Sequence, residues 1–235
     1  NFSGTEFSSV GLVNDESIAS VSLNSLGTLA TAAVKNSEPY VIEISDAIGG
    51  ETFDTGNYAI NYINGNLTIT PAALTITASD LIKTYGESIN FNGTEFSSSG
   101  LVNDESIASV SLNSLGAPDT AAVNNGLPYI IQASNAVWGT VDPNNYLVSY
   151  INGALTVQPA SLTITALDQS KTYGDSLNFN GTEFSSVGLV NDESISSVSL
   201  NSPGALATAS VNNGLPYIIQ ASDVVGGETF NVSNY

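Results

Sequence analysis

The chain of 235 residues contains no cysteine, no histidine and no methionine, and its only cations are Lys35, Lys83 and Lys171. Without Cys and His there are no disulfides, no thiol nucleophiles, no Cys/His zinc sites and no Ser-His-Asp arrangement. Twenty-two acids against three lysines give a net charge of −19. Such a surface cannot neutralise a run of phosphates, which argues against nucleic acid and against attachment to anionic membranes. No apolar run approaches the roughly 18–20 residues of a membrane-crossing helix, so no membrane insertion is expected. There is no leader-like segment either: the chain opens at Asn1 in mid-pattern and reads as an internal piece of a longer precursor. Charged residues make up 11%, against roughly 25% in an average domain, so Ser, Thr, Asn and Gly supply most of the polar surface. At 42% hydrophobic the chain has enough apolar material for packed cores. Absence of cysteine fits the cytosol as well as the outside of the cell. The acidic surface rich in Ser, Thr and Asn favours a secreted or cell-surface location.

What is present is repetition. Asn14-Asp15-Glu16-Ser17 returns at residues 103–106 and again at 191–194. Lys83-Thr84-Tyr85-Gly86 returns at 171–174, and Asn57-Tyr58 returns at Asn145-Tyr146 and Asn234-Tyr235. The offsets (103−14 = 89, 171−83 = 88) define a unit of about 88 residues, the size of a small self-contained domain. The boundaries fall near Ala73 and Ala160. They give repeat 1 over 1–73 without its first strand, a complete repeat 2 over 74–160, and repeat 3 over 161–235 without its final hairpin. Pro71 and Pro159 sit at these short junctions, which favour a semi-rigid array.

Within a repeat the apolar residues alternate with period two, the signature of strands. Leu74, Ile76 and Ala78 alternate with threonines, Val110 and Leu112 with serines, and Tyr146, Val148 and Tyr150 form a stripe. Asn152-Gly153 between two alternating runs predicts a type I′ hairpin. A second turn at Asn124-Asn125-Gly126 is expected to join a strand over 121–123 to one over 129–133. In the Gly-Leu-Val-Asn-Asp-Glu-Ser segment, Asn103 or Asp104 is expected to cap one helical turn. Six or seven short strands per unit predict an all-β fold of tandem Ig-like β-sandwich domains. A β-grasp-like sheet around the single helical turn is the alternative.

These residues, in the order Leu-Thr-Ile-Thr-Ala, Lys-Thr-Tyr-Gly, Gly-Leu-Val-Asn-Asp and Asn-Tyr-x-Val-x-Tyr-x-Asn-Gly, resemble the MBG domain of the YGX type. Tyr85-Gly86-Glu87 and Tyr173-Gly174-Asp175 stand where that signature implies. The resemblance implies tandem arrays in large secreted bacterial proteins of the adhesin or haemagglutinin kind, and no catalytic residues. The expected function is therefore a structural module, an adhesin stalk or filament segment, and not an enzyme. Its expected partners are neighbouring domains or copies of itself head to tail, with assembly by strand complementation between chains. The competing reading is a ligand-binding adhesin module whose loops contact host glycan or protein.

The site candidates follow from residue type. Asp104-Glu105 and the acids Asp46, Glu51 and Asp54 are the calcium candidates, though Asp46 becomes Asn135 and Glu51 becomes Thr140 in the next copy, and solvated turn carboxylates explain them equally. No other cofactor is indicated. Lys83 and Lys171 are candidates for an intramolecular isopeptide bond with Asn64 or Asn152 on the last hairpin, against the alternative of surface lysines beside the turn. Asn92 and Asn180 lie in Asn-x-Thr triplets and are candidate glycosylation acceptors. Tyr58, Tyr62, Tyr146 and Tyr150 could stack on a sugar, but core packing with hydroxyls at the rim accounts for them as well.

Overall fold

A computed structural model describes residues 1–35 and 38–235. The chain is all-β, with sheets of the β-sandwich type and, among the described residues, no helix longer than a three-residue 3-10 turn. In repeat 1, β1 (Ile18–Asn24), β2 (Tyr40–Gly49) and β3 (Gly65–Leu67) form a sheet in that order, which leaves β3 on an edge. The middle repeat supplies β4 (Ala72–Ala78), β5 (Leu81–Thr84), β6 (Phe96–Ser99), β7 (Ile107–Asn113), β8 (Tyr129–Trp138), β9 (Tyr146–Ile151) and β10 (Gly153–Gln158). Their strand orders are β6-β4-β9 and β5-β10-β8-β7. Repeat 3 carries β11 (Thr163–Ala166) paired with β12 (Phe184–Val187), and β13 (Ile195–Asn201) paired with β14 (Gln220–Gly226).

The chain divides into two compact units, both of which draw on the middle repeat. Unit 1 comprises residues 1–76, 98–108 and 136–149, and unit 2 comprises 77–97, 109–135 and 150–235. Each has its own buried apolar residues. Leu74 and Ile76 are fully buried in unit 1, and Ile131 and Leu155 in unit 2. The alternation that predicted strands is the alternation of burial: Leu74, Ile76 and Ala78 are inside and the threonines between them half-exposed.

Asn152-Gly153 is not the expected hairpin. β9 and β10 lie in different sheets and do not pair, and neither Asn152 nor Gly153 has a positive φ. The segment is a corner at which one strand passes from sheet to sheet. Residues 79–80, between β4 and β5, make the matching passage. In unit 2 the two corners lie against each other. A Cβ on Gly153 would stand 2.8 Å from both Ala78 O and Ser79 O, and Ala154 N donates to Asp80 Oδ1 at 2.7 Å. Glycine is thus selected by backbone proximity, a pressure that sequence alone cannot distinguish from turn formation.

Two further expectations need correction. Asn103 and Asp104 cap no helical turn. Both have φ near +55°, and Glu105 N donates to Val102 O at 3.1 Å, which makes a type I′ turn repeated at Asn14-Asp15 and Asn191-Asp192. The β-grasp alternative loses its helix with this correction. The turn at Asn124-Asn125-Gly126 forms as expected, with φ of 50° and 79° at Asn125 and Gly126 and a 2.8 Å bond from Leu127 N to Asn124 O. The residues 121–123 before it, however, are not a strand.

Candidate functional site

Residues of three recurring motifs meet at one place in unit 2. After β10 the chain runs through Pro159 to Ala160, while the Tyr85-Gly86 turn follows β5, which pairs with β10 in parallel. Tyr85 N donates to Gln158 O at 2.8 Å, and Gly86 N to Asp119 O at 3.1 Å. From repeat 3 come two loops. The type I′ turn at Asn191-Asp192 throws Glu193 back toward Val190 (Glu193 N to Val190 O, 3.0 Å). A 3-10 turn over Val232–Asn234, capped by the Asn231 side chain on Ser233 N, presents Asn234 and Tyr235.

Glu193 is the centre. Its Oε1 accepts the Tyr85 hydroxyl at 2.6 Å, and its Oε2 accepts the Tyr235 hydroxyl at 2.7 Å. The Tyr235 oxygen in turn accepts Val190 N at 3.1 Å. The two rings meet edge to face at 5.8 Å, and Phe230 stacks on Tyr235 at 5.4 Å. Around them, Tyr85, Val157 and Ala160 form an apolar cluster with Val123, Val190 and Tyr235. The backbones of the two repeats are stitched as well. Ala160 N donates to Asn234 O at 2.8 Å, Val123 N to Asn234 Oδ1 at 2.9 Å, and Asn191 Nδ2 to Asp119 O at 3.2 Å. The bond to Asn234 occupies the N–H of Val123, a residue that joins no ladder.

Gly86, at φ +90°, completes the fit: a Cβ there would lie 2.8 Å from Val190. The Tyr-Gly signature is therefore a contact motif. The aromatic ring reaches the next repeat's carboxylate, and the glycine lets that repeat's valine approach. Burial, with the bond to Glu193 adding to it, raises the Tyr85 hydroxyl above its ordinary value. Burial pushes that of Tyr235 up to about 12, with the Val190 N–H opposing and the Glu193 carboxylate reinforcing the shift. Both hydroxyls therefore remain protonated donors at neutral pH. The arrangement joins the two repeats through hydrogen bonds and ring packing.

Part of the same constellation recurs inside unit 1. Tyr146 donates to Glu105, Val102 N donates to the Tyr146 oxygen at 3.1 Å, Val34 N to Asn145 Oδ1 at 2.7 Å, and Asn103 Nδ2 to Ala30 O at 3.4 Å. Within repeat 1, Tyr58 donates to Glu16 and its oxygen accepts Val13 N. The repeated Val-Asn-Asp-Glu and Asn-Tyr segments are two halves of one contact. Reading them separately as turn and strand missed this. The signal that could have found it is their joint recurrence with the Tyr-Gly signature.

The other candidates have local explanations. Asp46 and its counterparts Asn135 and Asp223 have φ of 45–49°. In β2 and β14, Asp46 and Asp223 stand at register shifts in the pairing. They are bulge residues, and Asp exchanges with Asn because both tolerate left-handed backbone. Asp54 Oδ1 accepts Gly56 N at 2.9 Å as the cap of a 3-10 turn, and Asp142 and Asn231 repeat that role. Asp104 is a turn residue, Glu105 takes the Tyr146 hydroxyl, and Glu51 is an exposed turn residue. Among the described residues no three acids gather in a way that could hold a metal ion.

Lys83 is buried, and its ammonium donates to Glu87 O at 2.8 Å and to Pro118 O. Burial lowers its pKa, with Asp119 and Glu87 opposing. Lys83 stands opposite Val157 in the parallel ladder, five positions (157−152) along β10 from Asn152, or roughly 16 Å. The Asn152 side chain instead accepts Ala133 N at 3.3 Å. The structure does not bring these two together. Lys171 donates to Asp175 O at 3.0 Å. Asn92 and Asn180 are exposed, and each accepts both the amide and the hydroxyl of the Thr two residues on. Of the tyrosine stripe, Tyr146 is buried, and Tyr62 accepts Ala47 N at 3.0 Å.

The same repeated loops hold a carboxylate by its backbone. Glu6 accepts Ser3 N and Gly4 N at 3.0 Å, and Ser3 amide and hydroxyl bonds hold its pKa at about 2 against an ordinary 4.5. A depressed folded pKa stabilises above the unfolded value, and that contribution is lost as pH falls from about 4.5 toward 2. Glu6→Gln should accordingly melt below wild type at pH 7 and together with it near pH 2. Thermal melts at both pH values check this, and a gap of equal size at the two would contradict it.

A family model described as MBG domain (YGX type) matches residues 74–156 and 162–235. Comparison with curated proteins and with solved structures finds no match.

Proposed function

The chain belongs to the MBG domain (YGX type) family, and from that premise we propose that it is a structural repeat segment of a bacterial cell-surface or secreted protein, a stalk or filament piece. Its work on this reading is mechanical, not catalytic. The observation that carries it is the Tyr85–Glu193–Tyr235 network, a buried link between one repeat and the next made from residues of the repeated motifs. A flexible bead-string needs no such link; a spacer that resists bending does. A fully satisfied, largely buried polar network favours a single arrangement, because any other leaves a carboxylate or hydroxyl without a partner away from bulk water. The −19 net charge suits a surface role, since it opposes non-specific sticking.

The chain contains no cysteine, so spin labels can be placed at will. Ile130 and Val187 are both exposed and lie in repeats 2 and 3 of unit 2. Cys substitutions there should give a narrow distance distribution by electron paramagnetic resonance, broadened by Glu193→Ala. A distribution already broad in the parent, unchanged by Glu193→Ala, would contradict the reading.

A further inference from the structure

Six Asn-Gly pairs occur in the chain, at Asn64, Asn92, Asn125, Asn152, Asn180 and Asn213. Asparagine is a labile residue, and a following glycine, with no Cβ beside its nitrogen, lets that nitrogen approach the side-chain carbon unhindered. The fold divides the six into two classes.

Four are held. Asn92 Oδ1 accepts Thr94 N at 2.9 Å and the Thr94 hydroxyl at 2.6 Å, while Gly93 N donates to Glu95 Oε2 at 3.0 Å. Gly93 O in turn accepts Val110 N at 2.9 Å, which ties this loop to β7. Asn180 repeats the arrangement with Thr182, Glu183 and Val198. In both loops the asparagine side chain and the glycine nitrogen are engaged elsewhere. Asn152 Oδ1 accepts Ala133 N at 3.3 Å, and Gly153 stands opposite Ile131 in the ladder of β8 and β10. Asn64 Oδ1 accepts Ile44 N at 3.4 Å, and Gly65 stands opposite Ile42 in the ladder of β2 and β3.

Asn125 and Asn213 are different. Each is exposed, at φ of 50° and 48°, in a turn closed by one backbone bond: Leu127 N to Asn124 O at 2.8 Å, and Leu215 N to Asn212 O at 2.9 Å. Among the described residues no hydrogen bond holds either side chain or the N–H of Gly126 or Gly214. Nothing lies within 4 Å of the place where a Cβ on either glycine would stand. In the complete middle repeat the residues before the turn, 121–123, join no ladder, so the loop opens without breaking a sheet.

We propose that Asn125, and with it Asn213, is a site of spontaneous covalent modification, converting to aspartate and isoaspartate while the other Asn-Gly pairs are protected by the fold. The Gly126 nitrogen gives up its proton to solvent base and bonds to Asn125 Cγ. The Cγ–Nδ2 bond breaks, and Nδ2 takes up a proton and leaves as ammonia. The resulting succinimide ring is opened by water at either carbonyl. One ammonia leaves, one water enters, and nothing is oxidised or reduced. Each event adds a carboxylate to a chain already at −19, and the isoaspartate product also inserts a methylene into the main chain of the turn. This assignment is independent of the mechanical reading of the repeats.

The test incubates the whole chain in mildly alkaline buffer and digests samples with pepsin in acid. Mass spectrometry with electron-transfer fragmentation then scores each Asn-Gly pair for ammonia loss and isoaspartate. Asn125 and Asn213 should convert at least about tenfold faster than Asn92, Asn152 and Asn180, because freeing a held pair breaks hydrogen bonds that each slow it by roughly a factor of two to ten. In denaturant the rates should converge. Glu95→Ala should bring Asn92 toward the rate of Asn125 and leave Asn180 slow, and a slow Asn180 also shows that the variant is folded. Equal rates at all six pairs in the folded chain, or Asn92 converting ahead of Asn125, would overturn the assignment. So would an Asn125 that converts in denaturant and stays intact in the folded chain.

Discussion

Glu193→Ala is expected to lower the stability of unit 2 by about 2–5 kcal/mol, because the buried hydroxyl of Tyr85 and the part-buried hydroxyl of Tyr235 both lose their acceptor. Each orphaned donor costs about 1–3 kcal/mol, and the space vacated by the side chain adds a packing loss. Glu193→Gln should cost less, since its carbonyl oxygen still accepts one of the two hydroxyls. Chemical denaturation of the full chain, followed by near-ultraviolet signals from the tyrosines, checks the order. Equal stability of Glu193→Ala and wild type would show that the network contributes nothing net.

The second large effect concerns a glycine that recurs in all three copies. Gly100 has φ +100°, and a Cβ on it would stand 2.1 Å from Ala73 O. Gly188 repeats the geometry against Ser161 O, also at 2.1 Å. Gly11, their counterpart in repeat 1, has φ +90° but nothing within 4 Å of its Cβ position. Gly100→Ala therefore combines about 1–2 kcal/mol of left-handed backbone strain with a displacement of the β4 backbone, for about 2–5 kcal/mol in all. Gly11→Ala carries the backbone strain alone, about 1–2 kcal/mol. Unfolding midpoints of the two variants, measured side by side, check the difference. Equal losses would mean that backbone strain, and not the approach of β4, explains the glycine.

How much of this was legible beforehand depends on the range of the interaction. The all-β class was readable because period-two burial is local: each side chain's face follows from the pleat. Leu74, Ile76 and Ala78 show this. Turns whose chemistry lies within four residues were readable too, as at Asn124-Asn125-Gly126. Asn152-Gly153 was misread because an identical dipeptide serves a turn or a crossing of backbones, and only the neighbour 74 residues away (153−79) decides. Asp46 looked like a cation ligand because acids are conspicuous in sequence, whereas a bulge is visible only in the register of two strands.

The junction was the least legible part. Tyr85 and Glu193 are 108 residues apart, and each is unremarkable in its own repeat. Trp138 makes a related point about paired differences. Its counterparts are Gly49 and Gly226, where a Cβ would meet the rings of Phe53 and Phe230 at 2.4 and 2.2 Å. Repeat 2 has Val141 in place of that phenylalanine, and it is the copy that carries a side chain at position 138. Neither substitution is intelligible alone.

The most direct test of the junction is a double-mutant cycle between Tyr85→Phe and Glu193→Gln, read as unfolding free energies of the full chain. Coupling of about 1 kcal/mol or more is expected, the worth of a hydrogen bond to a charged acceptor shared by two residues of different repeats. A coupling indistinguishable from zero, with each single variant acting independently, would contradict the claim that the Tyr-Gly signature fastens one repeat to the next.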